Sequence, residues 1–392
     1  MANRIYFANQ QVAFRADGDD GAGAYTAAHG VQSVAVTTTF NLEQAFELGQ
    51  LSIYENIEGV PDIEVTMSKV LDGYPLLYTL ATKNNGVVGD AVTSPTLAGR
   101  SNEKSLVAVG IWPDTFDSAT GSDLVQQMEM SGLFVSSIGY NFPLEDNFTE
   151  DITLVGNDKA WVDMNDTSNA VGCSNPSWQL QLATGEFRGN DEPLATASGG
   201  GINRRENLAF AESKDVLGTS DSGVDYCRFP TEIPGVDPSG WMSPRAASNT
   251  AHLSSVTVST DLGREELFEL GTRQPYARVV TFPIEVTCDI EMISLSGDMV
   301  NAFADGCGTS DPCTGIVNNL TDQIIRVATC EGTRIYLGAK NKLASVNYGG
   351  GDAGGGNVTV TYSYTNFNDC TVMHQFDPST GIRWVDRKNY LG

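Results

Sequence analysis

The word Phe46-Glu47-Leu48-Gly49 returns as Phe268-Glu269-Leu270-Gly271, 222 residues further along the chain. Its flanks repeat with it: over Ser33 to Pro61 against Ser255 to Pro283, without a gap, 11 of 29 positions are identical. The matches include Val34/Val256, Val36/Val258, Thr38/Thr260, Glu43/Glu265 and Tyr54/Tyr276. One residue drops out after the proline, and identity resumes at Glu64-Val65-Thr66 against Glu285-Val286-Thr287. At an offset of 210, Leu133 meets Leu343 and the pattern of residues 147–156 meets that of 357–366. Solenoid units recur every ~20–50 residues, so a spacing this long implies a duplicated domain.

The duplication divides the 392 residues into a first domain over 1–162, an irregular extension and linker over 163–250, and a second domain over 251–392. The alternation of β-branched residues predicts strands over Val31 to Thr39, Phe46 to Ile57 and Asp62 to Val70. Pro75 is suited to the first turn of a helix carrying Leu76, Leu77, Leu80 and Ala81. Residues 297–305 give a shorter counterpart, capped by Asp298. Two later hairpins are expected, Leu133 to Asn141 with Ile152 to Gly156, and Leu343 to Tyr348 with Val358 to Tyr364, the second with a glycine-rich tip. The expected class is mainly β, two tandem β-sandwich or barrel domains each with a flanking helix.

On a continuous strand Phe46 and Leu48, like Phe268 and Leu270, share one side, which marks them as repeat core, with Gly49 and Gly271 at a bend. Glu43, Glu47, Glu265 and Glu269 then point outward. An outward carboxylate has no folding reason to recur, so these four face a lumen or pair across an interface.

Composition narrows the function. Net charge is −26, from 49 acidic against 23 basic residues, which argues against a surface built to grip nucleic acid phosphates. No run of ~18 apolar residues is present to span a membrane, and the first residues lack a signal core, so the chain reads as a cytoplasmic product. The seven cysteines are scattered and read as mostly free thiols; Cys307 and Cys313 are the pair close enough for a local bridge. His29, His252 and His374 share no metal-binding spacing, and no nucleophile elbow, P-loop or dinucleotide fingerprint is present. Residues 16–24 have alternating oxygen donors but lack the closing glutamate of a calcium loop. No catalytic residue, metal or cofactor is assigned, and the chain reads as a non-enzyme.

The run from Ser33 to Thr82 and its echo from Ser255 to Glu291 resemble virion structural proteins of tailed bacteriophages, in particular tail tube proteins. The resemblance implies a β-sandwich with a flanking helix, whose sheets join around a ring to close a barrel enclosing a channel. Stacked rings make the tube, assembled with other tail proteins in the virion tail after synthesis in the host cytoplasm. Double-stranded DNA passes through without specific binding, and Glu43, Glu47, Glu265 and Glu269 become lumen candidates. A duplicated subunit closes as a trimer with pseudo-sixfold shape, a hexamer being the alternative. Two other readings are a tail adaptor or hub ring, set apart by copy number per virion, and an acidic β-sandwich that binds or hydrolyses carbohydrate.

Overall fold

The computed structural model describes residues 5, 7–16, 25–49, 51–82, 97, 102–112, 126–163, 201–208, 252–293, 322–329, 332–349 and 356–374. The chain is mainly β, with large antiparallel sheets. The first repeat contributes β1 (Gln10–Ala16), β2 (Thr26–Ala27), β3 (Val31–Thr39), β4 (Leu42–Phe46), β5 (Ile53–Glu58), β6 (Asp62–Val70), helix α1 (Leu77–Ala81), β7 (Ser105–Ile111), β8 (Gln126–Pro143), β9 (Thr149–Gly156) and β10 (Ala160–Asp163). The second contributes β11 (His252–Asp261), β12 (Arg264–Leu267), β13 (Ala277–Val280), β14 (Glu285–Ile293), β15 (Arg326–Ala328), β16 (Arg334–Tyr336), β17 (Lys342–Gly349), β18 (Thr359–Phe367) and β19 (Thr371–Met373).

The repeat is visible in the hydrogen-bond ladders. In the first copy the strands run side by side as β3-β6-β9-β8, in the second as β11-β14-β18-β17. A register shift falls between Val31 and Ser33 in β3 and between Leu253 and Ser255 in β11, the same place under the offset of 222. Each copy then extends its first pair into a hairpin, β4-β5 and β12-β13, in identical register: Leu42 faces Glu58 as Arg264 faces Val280.

The ladders correct two of the sequence equivalences. Thr39 pairs with Asp62 and Thr260 with Val286, so Glu64 takes the place of Thr287 and not of Glu285. The second copy has gained a residue around Pro283 where the identities suggested a loss. Likewise the bulge at Val135/Ser137 matches that at Leu343/Ser345, so Val135, not Leu133, is the counterpart of Leu343. Both errors are two residues, which keeps every side chain on its proper face and so leaves the hydrophobic pattern blind to them. The offset of 210 between β9 and β18 agrees with the ladders.

β8, 18 residues long, belongs to two layers. Its first half pairs with β7 and β10, extending a sheet β2-β1-β7-β8-β10 across the top of the first copy; its second half joins β9 and β11 below. The three-stranded sheet β15-β16-β19 belongs to the second copy. One continuous buried cluster fills the interior, from Val12 and Phe14 through Met130, Tyr140 and Leu154 to Ile290, Tyr362 and Val372. Alternation supplies it: β14 buries Val286, Cys288, Ile290 and Met292, and β18 buries Val360, Tyr362, Tyr364 and Asn366.

Helix α1 is held from below. Glu150 of β9, fully buried, accepts from the backbone N–H groups of Leu77 (2.6 Å) and Tyr78 (3.1 Å) and from the Tyr140 hydroxyl (3.0 Å). It thus occupies donors that the first helical turn leaves unpaired. Burial pushes the Glu150 carboxyl upward. Pro75 stands one residue ahead of the extended N-cap Leu76, outside the helix instead of in its first turn. The helix expected near Asp298, the calcium-like loop, the Cys307/Cys313 pair, the glycine-rich tip and most of the segment 163–250 lie outside the described residues. Among the described residues no helix is long and apolar enough to cross a membrane.

Candidate functional site

The two four-stranded ladders form one sheet, because β8 of the first copy pairs with β11 of the second from Ser255↔Pro143 to Asp261↔Ser137. The order across it is β3-β6-β9-β8-β11-β14-β18-β17. One face carries the core. The other is solvent-facing and built from small hydroxyl side chains with carboxylates among them. Ser33, Thr37, Thr66, Ser68, Thr153 and Ser137 lie on it in the first copy, and Thr257, Ser259, Thr287, Thr361, Ser363 and Thr365 in the second.

Alternation places seven acids on this face, Asp62, Glu64, Asp151, Asp261, Glu285, Asp289 and Glu291, and among the described residues Asp62 alone of them meets a cation, the Arg278 guanidinium at 3.2 Å. The eight strands contain two cationic residues. Lys69 is buried beneath the sheet, and Lys342, at the outer end of β17, pairs with Asp322 at 2.9 Å. Hydroxyls satisfy each other or the acids, as in Ser259 with Thr287 (2.7 Å) and Ser255 to Glu291 (3.1 Å). The result is a predominantly acidic, hydrated surface, whose one cation from the described strands, Lys342 opposite Thr365, is already engaged by Asp322.

The seam between the copies is tightly packed. Val258 opposes Tyr140 and Val256 opposes Phe142, all four buried. Beyond the strand, the Leu262 N–H donates to the Ser136 carbonyl (2.8 Å) and Arg264 Nε to the Val135 carbonyl (2.8 Å), its guanidinium over the Phe134 ring. Burial lowers the Arg264 pKa to about 10. Arg278 joins the second hairpin to the first copy through Asp62 (3.2 Å) and Asn157, and also pairs with Glu266. At the sheet's two ends matters differ. Among the described residues no strand pairs with the outer edge of β3 or of β17, and such edges template pairing with another chain.

The duplicated word lies at the two hairpin tips. The expected continuous strand from Phe46 to Ile57 is instead β4, a turn and β5, with Leu48 and Gly49 in the turn and Leu270 and Gly271 in its twin. Gly49 and Gly271 have φ of 95° and 99° with open space where a Cβ would stand, so backbone conformation, not crowding, calls for glycine there. Phe46, Leu48, Phe268 and Leu270 are not core: Leu48 is 103% and Leu270 105% exposed, and both phenylalanines are largely exposed. The hairpins run past the end of the sheet, and among the described residues no opposing layer covers these four side chains. Glu43, Glu47, Glu265 and Glu269 are exposed on or beside the same hairpins and not on the polar face. The signal for the residues of the polar face was present in strict alternations such as Thr-Val-Thr-Tyr-Ser-Tyr-Thr in β18. The first hairpin adds Leu42, Leu51, Ile53, Tyr54 and Ile57 to the exposed apolar surface.

No family model and no curated protein matches the chain. Among solved structures it is similar to a chain of the anti-feeding prophage tube-terminating cap, with 12% identity and a TM-score of 0.29, covering 42% of this chain and 93% of that one. A chain of the sheath-tube complex of an extracellular contractile injection system is similar at 14% identity and a TM-score of 0.28, covering 42% and 94%. An Hcp protein is similar at 14% identity and a TM-score of 0.20, covering 39% and 98%.

Proposed function

We propose that the chain is a structural, non-catalytic subunit of a tailed-bacteriophage tail tube, forming stacked rings around a channel for double-stranded DNA, with no cofactor. The observation that carries this reading is the single sheet built from both repeats, with one face packed on the core and the other lined by hydroxyls and unopposed carboxylates. Three chains, each presenting two similar units, close a ring of pseudo-sixfold shape, and the acidic face becomes its lumen. Phosphate is repelled by Glu64, Asp151, Asp261, Glu285, Asp289 and Glu291, so DNA slides without sticking. The hairpins stand at the rim, where one ring meets the next and other tail proteins attach. The subunit is made in the host cytoplasm and ends in the virion tail.

Negative-stain microscopy of the purified protein tests the reading. Hollow tubes or ring stacks with a central channel are expected; dispersed globules would overturn it. The channel face makes its own prediction. Glu285→Lys, Asp289→Lys and Glu291→Lys together should let the assembled protein retain double-stranded DNA in a filter-binding assay at low salt, where the unaltered protein retains none. That retention should fall steeply with added salt, since released counterions drive it. DNA binding equal to that of the unaltered protein would place these side chains elsewhere than on the channel wall.

A further inference from the structure

We infer that the join between the two repeats is also the join between molecules: the free edge of β17 pairs with the free edge of β3 in the next chain, in the register that β8 uses on β11. The inference rests on the ring reading above and supplies its interface. Register shifts fix the equivalences, β3 with β11 at an offset of 222 and β8 with β17 at an offset of 208. Carrying the internal pairs across gives Ser345 opposite Thr39, Val346 opposite Thr38, Asn347 opposite Thr37, Tyr348 opposite Val36 and Gly349 opposite Ala35.

The side chains at those positions match across the two joins. Within the chain Tyr140 opposes Val258; across chains Tyr348 opposes Val36. Ile138 opposes Thr260, and Val346 opposes Thr38, again a branched aliphatic against threonine. Burial points the same way. Tyr140 is 2% exposed at the internal seam, whereas Tyr348 is 47% exposed at the edge. Leu262, whose backbone bonds across the seam, is fully buried, whereas its counterpart Phe40 is 70% exposed. Apolar residues buried at the join are thus open where the join is unmade, and a second copy of the same chain carries the matching surface.

Geometry then limits the ring. Strands alternate in direction across the eight, so β17 runs opposite to β3 and the added pair is antiparallel, as the internal one is. Three chains of eight strands close a barrel of twenty-four. At a spacing of about 4.8 Å and a tilt of 35–45° its backbone diameter is roughly 45–50 Å, leaving ~35–40 Å between facing side chains, room for a double helix.

Paired cysteines test the register. Thr37→Cys with Asn347→Cys, both on the solvent-facing side, should cross-link assembled protein into a three-chain species on a non-reducing gel, reversed by thiol. Each single variant should stay uncross-linked. Ala35→Cys with Asn347→Cys, two residues out of register, should give at least tenfold less product. Tubes or rings under the microscope with no cross-link from the first pair, with more from the second, or with ladders beyond three chains, would overturn this interface while leaving the ring reading standing. Dispersed globules would remove both.

Discussion

Aspartate in place of Leu48 and Leu270 together is expected to leave the chain folded and to stop tube growth, so that electron micrographs show separate rings where the unaltered protein gives long tubes. Both side chains are wholly exposed at the hairpin tips and contribute no packing to the subunit, so the thermal midpoint of the subunit should hold. Their cost falls on the contact between rings. β3 and β11 occupy alternate positions in an antiparallel order and point the same way, so both hairpins of every chain leave the sheet at one rim. The proposed ring of three then presents six leucine tips. Covering a leucine is worth about 1.5–3 kcal/mol, so their loss removes roughly 9–18 kcal/mol of contact per ring interface, before the penalty for burying aspartate. Tubes of ordinary length from the double variant would show that the tips do not bear on the next ring.

Lys69→Met is expected to destabilise the subunit by about 3–5 kcal/mol, read from the denaturant midpoint, because it strands Asp72 in the interior. The Lys69 ammonium is fully buried, 2.5 Å from the Asp72 carboxylate and 2.6 Å from the His29 carbonyl. Gly30, at φ 74°, passes so close that an added Cβ would stand 2.3 Å from Asp72, so the aspartate has little room to turn toward water. The pair ties the start of β3 to the end of β6. In the second repeat Met292 holds the corresponding place and is buried without a charge, which shows that the backbone accepts methionine and that the expected loss belongs to the orphaned carboxylate. Lys69→Met with Asp72→Asn should therefore recover most of the stability. A single variant costing under about 1 kcal/mol would mean that water reaches Asp72.

Much of the sheet could be read from the amino-acid order, since its strands alternate between a packed and a wet face. β6 runs from Asp62 to Val70 as expected, and the hairpins β8-β9 and β17-β18 fall where the alternation put them. The all-buried β7, Ser-Leu-Val-Ala-Val-Gly-Ile, carries no alternation to announce it. The hairpin tips were misread for a different reason. Assigning Phe46 and Leu48 to a core assumes that apolar side chains recur in order to be covered by their own chain, and here both are largely exposed. The recurring glutamates do not announce the polar face, because most acids of the sheet have a hydroxyl, not an acid, at the equivalent place in the other copy. Glu64 stands level with Thr287, and Glu285, which shares the identity of Glu64, stands level with Asp62. The register, which only pairing can reveal, separates likeness of letters from likeness of place.

The pairing of β8 with β11 has a kinetic consequence. In the proposed three-chain ring, three of the six joints are made within a polypeptide as it folds, at an effective concentration that no encounter between free molecules matches. Only the remaining three await diffusion, so the rate of ring formation should climb with a lower power of subunit concentration than it would for six separate single-unit chains. Covalent fusion of the halves also lets each drift chemically without losing its neighbour, and the lysine at 69 against the methionine at 292 records that freedom.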